Sequence, residues 1–187
     1  GIGAATVTIW GLTSWTALET SETITLNGTT NVPTVNSYVI IHRMRATASA
    51  TTTAVGINAG TITATADTDT TVTAIISIAQ GQTQMAIYGV PSLQTFYMKR
   101  FYASMNDSLA ATRIDVQIRV NSNPNTQLLA FSNRADLELS NQGASSQSTE
   151  YPLPVAFAGP CIIKVQGIAS AADVDMSAGF DGYLVTN

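Results

Sequence analysis

Apolar and polar residues alternate along this chain in short runs, with turn residues between them. Thr6-Val7-Thr8-Ile9-Trp10 and Thr23-Ile24-Thr25-Leu26 alternate, and the second ends at Asn27-Gly28, a tight-turn dipeptide. Tyr38 to Thr47 reads as a long strand, Thr61 to Thr65 as a short one broken at Asp67-Thr68-Asp69, and Thr71 to Ile78 as the next. Met85 to Val90 is closed by Pro91, and Thr95 to Met105 is a long aromatic strand. Arg113 to Val120 is the purest alternation, with Arg, Asp and Gln on one face and Ile and Val on the other. Gln127 to Phe131 and Ala135 to Leu139 are weaker strands, and Ile162 to Ile168 and Gly179 to Val185 close the chain. Loops are expected at Thr47 to Thr53, Asn121 to Asn125 and Asn141 to Thr149, and one short helical turn at most over Ser104 to Ala111.

The pattern predicts an all-β protein of about ten to twelve strands, an antiparallel β-sandwich of jelly-roll-like type. The 187 residues are expected to form a single sandwich domain over 16–187, preceded by an N-terminal arm or first strand over 1–15. Phe96, Met98 and Arg100 fall on one face of the aromatic strand, and Tyr97, Lys99 and Phe101 on the other. Apolar content on both faces predicts burial on one side and a subunit contact on the other. Trp10, Trp15, Tyr97, Lys99 and Phe101 are therefore the candidate interface residues.

Composition narrows the chemistry. Only 11% of residues are charged, the net charge is -4, and there is one histidine, His42, and one cysteine, Cys161. The pI of about 4.7 disfavours attraction to nucleic acid or an anionic membrane. No apolar run reaches the length of a membrane-spanning helix, and no signal peptide is visible at Gly1. One cysteine cannot form an internal disulfide or a Cys-rich zinc site. His42 has no acid beside it in sequence and reads as a structural histidine. Asp67/Asp69 and Asp173/Asp175 are acidic pairs that ordinary turns explain, and Asn27-Gly28-Thr29 fits a glycosylation sequon that the turn explains equally well. No phosphate-binding loop is present, and neither a catalytic residue nor a metal or other cofactor is expected.

Several stretches, in order, resemble a family of small virion structural proteins of tailed phages that infect aquatic bacteria. They are Glu22 to Thr30, Asn36 to Met44, Gly81 to Pro91, Thr95 to Ser104 and the tail Val174 to Asn187. The resemblance implies a phage particle protein without catalytic residues. With the composition it leads to the expectation of a capsid decoration protein, a homotrimer on the outer capsid surface with the major capsid protein as partner. A tail or head-fibre module that binds host-surface glycan is the alternative.

Overall fold

The computed structural model describes residues 3–49, 57–106, 112–126, 130–171 and 174–187. They form twelve strands and no helix. Every pairing is antiparallel. The fold is all-β, as the alternation predicts. The chain divides into two compact units, Gly1–Met85 and Ala86–Asn187, where the sequence suggests one domain from residue 16. The division follows hydrogen-bonding partners, which alternation does not encode.

In the first unit, β1 (Ala4–Leu12) lies between β2 (Thr20–Thr25) and β3 (Ile40–Ser49), and β4 (Ile62–Thr65) pairs with β5 (Val72–Ile76). Residues 1–15 are thus not an arm in their described part. β1 is the central strand of its sheet, and Val7 and Ile9 lie in the core with Met44, Ala74 and Ile76. The expected turn at Asn27-Gly28 forms: the Thr30 amide donates to the Asn27 carbonyl at 3.0 Å, and Gly28 takes a φ of 59°, which suits glycine.

The second unit holds the larger core. One sheet runs β6 (Ile87–Val90), β11 (Cys161–Ala169), β8 (Arg113–Asn121) and β9 (Ser132–Ser140). The other runs β10 (Ser146–Ala158), β7 (Gln94–Asn106) and β12 (Asp175–Thr186). The second packs over the first, with β7 and β10 against β9 and β12 against β11. In a complete jelly roll the eight strands, lettered in chain order from B to I, form sheets B-I-D-G and C-H-E-F. β6 to β12 take the places C to I in both sheets, so this unit is a jelly roll with place B unfilled by any described strand.

Two readings of the pattern change. The stretch Asn141 to Thr149, expected as a loop, is a short turn followed by the start of β10. Ser104 to Asn106, expected in a helical turn, continue β7, and the rest of that turn lies outside the described residues. Gln127 to Leu129 and Asp173 also lie outside them, as does the Thr47 to Thr53 loop from residue 50 onward. Its first residues, Thr47 to Ser49, belong to β3.

Candidate interaction surface

The five candidate interface residues divide between the two units. Trp10 and Trp15 belong to the first. Trp10 is half-buried on β1, with the Arg43 guanidinium 5.4 Å above its ring. Trp15, just past the end of the strand, is buried. Arg43 stands beside Trp10 because β1 and β3 are paired at those positions, which sets a planar cation over an electron-rich ring.

Tyr97, Lys99 and Phe101 belong to β7, and the structure corrects their facing. Asp181 pairs with Arg100 and Gly182 with Met98, so β7 carries one extra residue there. This bulge turns Lys99 and Arg100 outward in succession and shifts the alternation by one. Phe96, Met98, Phe101, Ala103 and Met105 therefore all face the core, and Phe101 is fully buried. β7 does not present two apolar faces. Phe101 is a core residue, Lys99 is exposed at the bulge, and Tyr97 is half-buried on the outer face.

That outer face is the candidate surface. The Tyr97 and Tyr183 rings stack at 5.3 Å with 13° between their planes. Arg100 donates to one Asp181 oxygen from Nε at 2.9 Å and from Nη2 at 2.6 Å, and lies 4.9 Å from the Tyr102 ring. Tyr102 lies over Gly179, where a Cβ would strike the phenol. Aromatic and guanidinium planes are thus spread over a sheet face, a form suited to flat contact. Tyr183 and Arg100 were not among the candidates that the alternation pointed to. The adjacent cations in Met98-Lys99-Arg100-Phe101 were the available signal, since two polar residues in succession interrupt a strand's alternation.

The opposite face of the sandwich carries charges of both signs, with Arg113, Arg119 and Lys164 set among Asp115, Asp136 and Glu138. Lys164 lies 4.2 Å from the Phe131 ring, and Arg119 donates to the Phe131 carbonyl at 2.9 Å. Burial, together with the neighbouring Arg119 charge, lowers the Lys164 pKa. Next to them Gln117 donates to Asp115 at 2.6 Å.

His42 and Cys161 were the side chains with most chemical potential in the sequence. His42 is buried, and its Nδ1 lies 2.6 Å from an oxygen of Glu19, an acid 23 positions away that the fold brings to it. Cys161 is buried in the second unit, and burial pushes its thiol up to about 12, which keeps it protonated at neutral pH. Asp69 accepts from the Thr71 amide at 3.0 Å, and this bond lowers its pKa. Among the described residues no three His, Cys, Asp or Glu side chains gather around one point. An open cavity of about 400 Å³ in the first unit is lined by uncharged residues, including Val72, Ile75, Gln80, Gln84 and Met85.

Comparison with protein-family models, with curated proteins and with solved structures finds no match to this chain.

Proposed function

We propose that the chain is a non-enzymatic virion structural protein, a decoration protein that binds the outer surface of a phage capsid as a homo-oligomer and stabilises the shell. The observation that supports this reading most is the flat outer face of β10-β7-β12, where Tyr97, Tyr183, Arg100 and Tyr102 offer planar groups and little net charge. The resemblance to phage virion proteins and the low charge of the chain agree with it. A protein that binds only the assembled shell shifts the equilibrium toward that shell by mass action. The test is co-sedimentation of the purified protein with intact capsids and with free capsid subunits. Retention on capsids alone, weakened by Tyr97→Ala and Tyr183→Ala, is expected, and no retention on capsids, or equal retention on capsids and free subunits, would overturn the reading.

One observation favours the alternative, a tail or head-fibre module for host-surface glycan. A stacked pair of tyrosines is also a platform on which a sugar ring can lie. Binding of bacterial surface polysaccharide, lost in Tyr97→Ala, would establish that role in place of decoration.

A further inference from the structure

The seven strands of the second unit leave four sheet edges, and three of them are blunted. β6 is only four residues long and is followed by Pro91. β9 carries Arg134, Asp136 and Glu138 within nine residues. β10 contains Pro152 and Pro154, and its register breaks between Glu150 and Val155. These are the ordinary devices that stop a sheet edge from pairing with another chain.

β12 is neither short nor interrupted by proline, and its register shift against β7 comes from the extra residue in β7. It runs twelve residues with no proline, lysine or arginine. Its charges are Asp175 and Asp181, and the latter is tied to Arg100. Its outer edge pairs with no strand among the described residues. The inward-facing side chains of this edge are also uncovered. Met176 is 38% and Leu184 36% exposed, although both lie on the core side of the sheet, and Tyr183 and Val185 beside them are 47% and 42% exposed. This is the place that strand B of a complete jelly roll would fill, beside β12 and across from β6.

We infer that the vacant place is taken by β12 of a second copy of this chain, the two strands pairing antiparallel about a two-fold axis. The occupant follows from the strand's self-complementarity. With the axis at Phe180, Met176 of each copy stands beside Leu184 of the other, so the two half-exposed apolar residues cover each other. Ser177 stands beside Tyr183, Asp175 beside Val185 and Gly179 beside Asp181, so no two acids are opposed. The register keeps odd residues with odd and even with even, which leaves core-facing and outward side chains on their own faces. The three-stranded sheets of two copies then join into one continuous sheet, and the pairing is closed because the same edge is used on both sides. The expectation of a subunit contact on β7 rested on an aromatic strand with two apolar faces, and the bulge removes that ground. The inference does not depend on the virion reading.

Sedimentation equilibrium of the full chain, from low to high micromolar concentration, tests it. A mass that rises to twice that of the chain is expected, with the dimer dissociation constant raised roughly tenfold or more by Leu184→Lys. Hydrogen exchange of the native protein gives a second reading that needs no variant: β12 amides should slow as concentration rises, while those of β9 and β10 stay constant. A trimer, a monomer at every concentration, or a dimer whose β12 amides exchange independently of concentration would overturn the inference.

Discussion

The two units are both antiparallel β-structures built from similar residues, yet they are held by different forces. Among the described residues, the core of Ala86–Asn187 contains fifteen buried residues drawn from both sheets. The core of Gly1–Met85 contains five. What the smaller unit lacks in apolar burial it supplies with polar side chains bonded to backbone. The buried Asn58 donates to the Gly60 carbonyl at 2.7 Å and the Ser77 carbonyl at 2.9 Å, and accepts from the Gly81 amide at 2.9 Å. Glu22 accepts from the amides of Val35 and Asn36 at 2.6 and 3.0 Å. Thr6, Thr8, Thr23 and Thr47 form a hydroxyl ladder across β2, β1 and β3. A small core can thus be offset by hydroxyl bonds between strands and by the bonds of Asn58 and Glu22, which satisfy loop amides and carbonyls otherwise left to water.

The largest loss of stability is expected from a substitution in the larger unit. Phe101→Ala removes a fully buried ring that meets both sheets' cluster, and a loss of roughly 3–5 kcal/mol is expected in chemical denaturation. In the smaller unit the equivalent blow falls on a polar residue: Asn58→Ala should cost roughly 2–4 kcal/mol, because one amide and several carbonyls lose their partner at once. If Asn58→Ala proves no worse than an exposed substitution, the polar account of this unit fails. Hydrogen exchange at the Gly81 amide is the local readout, since its acceptor is the Asn58 side chain.

Glu22 makes the stability of the smaller unit depend on pH. Its partial burial acts to raise its pKa, but the amides of Val35 and Asn36 outweigh burial and hold it below the usual carboxylate value. A carboxyl lowered in the folded state contributes stability above its unfolded pKa and loses that contribution as pH falls through the folded one. Acid titration of native and Glu22→Gln proteins should therefore differ at neutral pH by about 1 kcal/mol and converge below the lowered pKa. Smallest of all is Arg100→Gln. It breaks an ion pair that is half exposed, and a change of at most about 0.5 kcal/mol is expected in the same denaturation assay.

Much of the strand layout was legible because alternation reports one buried face directly. Arg113 to Val120 alternates without fault, and in β8 Ile114, Val116, Ile118 and Val120 are all buried. β10 was illegible for the same reason. Its Ser, Gln and Thr residues and its two prolines lie on an exposed edge, where no apolar periodicity is required. The candidate surface was half legible. Tyr97 was marked by its place on one face of the aromatic strand, but its partner Tyr183 comes from the last strand, and only the pairing of β7 with β12 joins them. Glu19 and His42 were separated in the same way, by long-range pairing that local patterns do not carry.

The bulge at Lys99 and Arg100 lets β7 carry one residue more than the stretch of β12 it pairs with. Before it the core reads even-numbered positions, Phe96 and Met98, and after it odd-numbered ones, Phe101, Ala103 and Met105. Loss of the exposed Lys99 would remove a surface side chain with no core contact, yet it would merge the two reading frames into one. Phe96, Met98, Phe101, Ala103 and Met105 would then alternate on one face without a break, and Asp181 and Gly182 would face Arg100 and Met98 with no residue left over between them. A strand of this kind tolerates at its most exposed point both substitution and the loss of the one surplus residue.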